Sequence, residues 1–143
     1  MRSAAGRRIR ILAVLLIAIG AGGCATDAGN GYHVAVRQDG HVLAEFDLAR
    51  LAELPQAEIT TPQSYGSKVQ RGPALRAVLA AAGAGEARSV RVEGSDPAQT
   101  LTAAELTDRL VLGFTKRDTV KLAGTDLDRD RWVRDVSAVV VNP

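Results

Sequence analysis

Leu75, Val78, Leu79 and Ala82 stand at i, i+3, i+4 and i+7 of one ten-residue stretch, Pro73 to Ala82. That spacing places four apolar side chains on one stripe of a helix, which has to be buried. Pro73 suits a first helical turn, since its missing N–H is one the helix leaves unpaired anyway, and Gly83 is placed to stop it. It is the strongest helical signal in the chain, and what surrounds it reads as strands. The stripe therefore has to pack against a sheet.

The strands come in short pieces. Tyr32 to Val36 and His41 to Phe46 flank Arg37-Gln38-Asp39-Gly40, and Asp-Gly between apolar alternations predicts a hairpin. If Asp39-Gly40 is the turn centre, His41 pairs with Gln38 and His33 with Phe46. Asp47 is an N-cap for a short helix, Leu48 to Leu54, which Pro55 ends. Glu58 to Thr61 is extended and Pro62 to Lys68 is a polar loop. After the central helix, Ser89 to Glu93 is a strand. Thr102-Ala103-Ala104-Glu105 is a capping box that starts a second helix, with Leu106 and Leu110 inward. Leu110 to Lys116 and Thr119 to Leu122 are strands, and Arg131 to Val141 closes a sheet with a β-branched run. Two to three short helices on a mixed sheet, without strict βαβ alternation, make an α/β mixed (α+β) fold in one domain, 32–143.

The segment before that domain sets its address. Arg2, Arg7, Arg8 and Arg10 precede nine uncharged residues, Ile11 to Ile19, and then Gly20, Ala21, Gly22 and Gly23. A membrane-crossing helix needs about 20 apolar residues. A shorter apolar run between a basic start and a small-residue tail is a signal peptide, 1–23. Ala21-Gly22-Gly23-Cys24 resembles the lipobox of bacterial lipoproteins, in which the cysteine is lipidated and becomes the new N-terminus. The alternative is an ordinary signal peptide with a chance cysteine. Two or more acyl chains on Cys24 would hold the domain at a membrane surface without spanning it, with 24–31 as tether. The expected location is the bacterial cell envelope, extracytoplasmic, with membrane lipid as partner through Cys24. Arg7-Arg8 is a weak hint of twin-arginine export.

Composition then removes function classes. All 16 acidic residues but only 14 of the 18 basic ones lie beyond residue 23, so the mature chain is net about −2. With no basic excess and only two Tyr, two Phe and one Trp, no nucleic acid is expected as a partner. Cys24 is the only cysteine. Once it is lipidated, disulfides, cysteine metal sites and thiol chemistry are excluded from the domain.

The order of pieces is similar to small bacterial domains of the sulfite-oxidase-type, molybdopterin-binding oxidoreductase fold. It carries "DLARLAELP", "RGPALRAVLAAAGAG", "VRVEG", "LTAAEL" and "RWVRDVSAVVV" between Tyr32 and Val141. Those domains read Gly-Val-Pro-Leu-Arg-x-x-Leu-x-x-Ala-Gly where this chain has Gly72 to Gly83, and they end in a Lys/Arg-Trp-Val strand, matched by Arg131-Trp132-Val133. These are mostly fold-making positions and carry architecture better than activity. The resemblance implies molybdopterin as a possible cofactor and a cysteine thiolate on molybdenum, from a segment preceding the central helix. Here that segment is Glu58-Ile59-Thr60-Thr61-Pro62-Gln63, and a threonine hydroxyl does not replace a soft thiolate. The stretch between Lys121 and Arg131 is also shorter than the family's loop.

The candidate cofactor-binding residues are Tyr65, Lys68, Arg71 and Arg76, with Lys116 and Arg117 as further cations that could gather near the start of the central helix and hold an anion such as a pterin phosphate. The opposite reading makes these arginines solvated. Asp126, Asp128 and Asp130 alternate like the start of a calcium loop, but Arg131 and Ser137 stand where Gly and Glu belong, so a charged turn neutralised by Arg129 and Arg131 is expected. His33 and His41 lack a third ligand, and no Gly-x-Ser-x-Gly elbow is present. The expectation is a lipid-anchored binding or accessory module, with no metal site and no catalytic residue of its own. Its partner would be an anionic small molecule or an envelope protein. The alternative is a molybdopterin-dependent oxidoreductase subunit that holds its cofactor through basic loop residues.

Overall fold

Asp39 and Gly40 both take positive φ, 53° and 76°, and so make the type I′ turn whose twist matches the two strands it joins. The hairpin comprises β1 (His33–Gln38) and β2 (His41–Asp47). The structure, a computed structural model, describes residues 31–143, which form one compact unit. The expected signal peptide, 1–23, Cys24 and the expected tether up to residue 30 lie outside the described residues. No helix among the described residues is long and apolar enough to cross a membrane.

His41 faces Gln38 as expected, but His33 faces Asp47 rather than Phe46. A bulge between Val36 and Arg37 shifts the register by one residue, with the extra residue carried on β2. Asp47 accepts the backbone N–H of Arg50 at 2.8 Å and starts α1 (Leu48–Glu53). β3 (Gln56–Thr60) then pairs antiparallel with β4 (Val69–Pro73).

That fourth strand corrects the reading of the central helix. α2 spans Leu75–Ala81, and Pro73 is not in its first turn but ends β4 opposite Gln56. A proline costs nothing at a strand terminus, because no further ladder bond is asked of its nitrogen. The stripe itself is as expected: Leu75, Val78 and Leu79 are buried. Gly83, at φ 75°, ends the helix in a Schellman motif, with Gly83 N–H on the Ala80 carbonyl and Ala84 N–H on that of Leu79, both at 3.0 Å.

β5 (Ser89–Glu93) and β6 (Gln99–Thr102) form the next hairpin. The expected second helix is one 3₁₀ turn, Ala103–Glu105. Glu105 does reach back to the Thr102 N–H and hydroxyl, at 3.4 and 3.2 Å, but the chain turns away at once into β7 (Leu110–Phe114). Leu110 is buried from that strand, not from a helix. β7 pairs with β8 (Val120–Gly124). The run from Arg131 to Val141 is not one strand either. Val133 makes a single bridge to Leu122, Asp135 kinks the chain at φ 48°, and only β9 (Ala138–Val141) is regular.

β9 is the centre of a mixed five-stranded sheet, β2-β1-β9-β5-β6, parallel to β1 and antiparallel to β5. β3–β4 and β7–β8 make two further ribbons. One buried cluster joins the large sheet, the β7–β8 ribbon and α2: Val34, Val36 and Phe46 of the first hairpin, Val139 and Val141 of β9, Leu112 and Leu122 of that ribbon, and the stripe of α2. The result is an α/β mixed fold, as expected.

Candidate ligand cleft

The loop after β3 is braced from within. Thr61 N–H bonds the Lys68 carbonyl at 2.7 Å, and Gln70 Nε2 donates to the Thr61 hydroxyl at 3.2 Å and to the Ser67 carbonyl at 2.9 Å. Gln63 Nε2 ties the loop to the turn beyond β8, donating to the carbonyls of Gly124 (2.9 Å) and Leu127 (3.0 Å). Lys68 turns inward and donates to the carbonyls of Pro62 and Ser64. What the brace leaves outside is Tyr65, 84% exposed.

Tyr65 forms one wall of a cleft of about 420 Å³. The Arg129 guanidinium lies 3.7 Å from its ring centroid. Opposite stand Lys121 of β8 and Trp132, with the Lys121 Nζ 5.4 Å from the indole ring. Trp132 is fixed by its own N–H, which donates to the Leu127 carbonyl at 3.1 Å. At the rim, Arg134 grips Asp96 with two nitrogens, Nε to Oδ2 at 3.0 Å and Nη2 to Oδ1 at 2.8 Å. Planar guanidinium against carboxylate is the geometry that fixes direction as well as distance.

The charges divide into paired and unpaired. The Arg134 hydrogen bond holds the Asp96 carboxyl below its usual range, and Arg134 is held up in return. Arg129 and Lys121 have no carboxylate within ion-pair distance among the described residues. Burial pushes the Lys121 amine below the usual lysine range, and the neighbouring charge of Arg129 pushes the same way. Two cations set against aromatic faces, neither in an ion pair, suit a flat, negatively charged guest, and Asp130 is the one lining carboxylate not held by an arginine.

Of the residues expected to bind a cofactor, only Tyr65 lines this cleft, although Asp130 and Arg129 of the expected charged turn line it too. Arg71 pairs with Glu58 at 2.5 Å across the β3–β4 ribbon, where the register sets the two opposite each other. Arg76 pairs with Asp108 at 2.6 Å and borders a separate groove under α2. The structure does not bring Tyr65, Lys68, Arg71 and Arg76 together. Lys116 is exposed on the β7–β8 turn, and Arg117 pairs with Asp135 at 2.6 Å. Asp126 is neutralised by Arg109 at 2.6 Å and Arg131 pairs with Glu105, so the charged turn holds with a different partner. Lys121, Arg129, Trp132 and Arg134 went unrecognised as site residues. The one local signal was a density of cations around a lone tryptophan.

A thiolate-held molybdenum does not fit these residues. In the segment where the resemblance asks for cysteine, Thr61 is fully buried with its hydroxyl already engaged by Gln70 and the Lys68 carbonyl. Turning that oxygen toward a metal would take one of its two hydrogen bonds from the Gln70 amide inside the protein.

No family model matches the chain, and no curated protein does. Among solved structures, it is similar to the sulfane dehydrogenase SoxCD from Paracoccus pantotrophus, with a TM-score of 0.60 and 14% identity over 77% of this chain. The likeness covers 38% of that chain, so this protein spans well under half of its neighbour. At such identity the likeness is one of fold.

Proposed function

We propose that this is a lipid-anchored, extracytoplasmic binding module: a sulfite-oxidase-type domain that takes an anionic small molecule in the Tyr65–Arg129 cleft and has no thiolate-bound metal. The observation that carries it is the pair of uncompensated cations, Arg129 and Lys121, each set against an aromatic face in one cleft. The occupied hydroxyl of Thr61 argues against the metalloenzyme alternative. The lipobox supports the anchor, with Cys24 as the modified residue.

The test is the molybdenum and pterin content of the protein purified from its native host, together with fractionation of a Cys24→Ser variant. No stoichiometric molybdenum or pterin, and release of the variant from the membrane fraction, are the results expected. Stoichiometric molybdenum would overturn the binding-module reading. A Cys24→Ser protein still held at the membrane would overturn the anchor alone.

A further inference from the structure

We infer that Lys121 is a carbonyl-capturing amine, condensing with an anionic aldehyde or keto acid that enters the cleft. The inference rests on the ligand-binding reading of that cleft. Its starting point is the contrast among the three lysines of the chain. Lys68 spends its ammonium protons on two loop carbonyls, and Lys116 stands in open solvent on a turn. Lys121 alone lies within a cavity, against the face of Trp132 and beside a second cation.

An amine becomes a nucleophile only as the free base, and a lysine is brought there by burial and by a neighbouring cation. Both act on Lys121, in that order. Among the described residues no carboxylate lies within ion-pair distance to restore its charge, and Asp96 is held by Arg134. Arg129 meanwhile offers its positive charge to the guest's carboxylate or phosphate, which would set the carbonyl next to Nζ.

The chemistry balances without an oxidant. The Nζ lone pair forms a C–N bond as the C=O π bond breaks, and one proton passes from nitrogen to oxygen. Loss of water from the carbinolamine then leaves a C=N bond to Lys121. Asp130, which lines the same cleft, is available to carry the proton. Amine and carbonyl compound give imine and water.

The test uses the full protein and pyridoxal 5′-phosphate, a flat aldehyde with a phosphate, followed by borohydride reduction and peptide mapping. The label is expected several-fold faster on Lys121 than on Lys116, and Arg129→Gln should slow it at Lys121 while leaving Lys116 unchanged. Equal labelling of the two lysines would overturn the inference. Pyridoxine 5′-phosphate, which lacks the aldehyde, separates the two readings by calorimetry. If it binds and Lys121 is not labelled, the capture fails and the binding cleft stands. If neither compound binds, both fail. Lys121→Met should lose the label at that site and keep the buried emission of Trp132, which shows that the fold survives.

Discussion

An alanine at position 72 would set its Cβ 1.9 Å from the carbonyl oxygen of Leu112 and 2.8 Å from the carbonyl carbon. Ordinary van der Waals contact begins at 3.4 Å, so β4 and β7 would have to separate by roughly 1.5 Å. Neither can yield alone, because both colliding groups are backbone and each strand is laddered to another, β4 to β3 and β7 to β8. Leu112 and Leu75 are fully buried close by, so the separation would also open the core. Overpacking of this kind costs about 1–3 kcal/mol, and with both sides rigid the upper end is expected. At about 4–8 °C per kcal/mol for a domain of this size, Gly72→Ala should lower Tm by roughly 10–20 °C. A thermal melt followed by the fluorescence of Trp132, the only tryptophan, measures that shift, and urea unfolding by the same signal measures the free-energy loss. Two controls bracket the result. Gly83→Ala meets no atom within 4 Å but sits at φ 75°, so it should lose about 1–2 kcal/mol from left-handed backbone strain alone. Gly66→Ala meets neither obstacle and should be near neutral. A Gly72→Ala protein no less stable than Gly66→Ala would refute the close approach of β4 to β7.

Leu75→Ala, truncating a fully buried side chain at the head of α2, should cost about 2–5 kcal/mol by the same urea measurement. Tyr32→Phe should cost about 1–3 kcal/mol, because the phenol donates to the Val136 carbonyl and accepts the Val120 N–H at 3.2 Å. Burial pushes the Tyr32 hydroxyl up from 10.0 to about 12, so its contribution is whole below pH 10 and lost as pH rises toward 12. Alkaline melts should show that loss in the native chain and a weaker dependence in Tyr32→Phe. Asp135 lies below its ordinary 3.8 through hydrogen bonds from Ser95 and Thr119 and the nearby Arg117, so its stabilisation is present above that value and fades as pH falls further. Asp135→Asn, which tolerates the left-handed backbone there, should flatten acid unfolding below about pH 4.

Where one residue type forces one local geometry, the sequence was sufficient. Asp39-Gly40, the Asp47 cap and the Gly83 stop are of this kind, since each depends on neighbours within five residues. β4 and β6 escaped because Val69–Pro73 and Gln99–Thr102 show no apolar alternation and become strands only through their partners β3 and β5. The bulge in β2 was invisible for a related reason: a one-residue register shift changes no composition. The cleft is a long-range object, assembled from residues 65, 96, 121, 129, 132 and 134. Missing β4 had a direct consequence for the site as well. With the strand in place Arg71 falls opposite Glu58 and is committed to it, while Lys68 is drawn into its own loop by carbonyls that no pattern of side chains announces.

The position of β9 also bears on how the domain comes together in time. The strand nearest the carboxyl end separates the β1–β2 hairpin from the β5–β6 hairpin, and each can form by itself from near neighbours. Joining them waits for Val139 and Val141, about a hundred residues downstream of β1. Closing a loop that long costs about 4 kcal/mol of chain entropy before any of the sheet's core contacts repay it. The five-stranded sheet therefore cannot be completed before β9 is free to enter between β1 and β5.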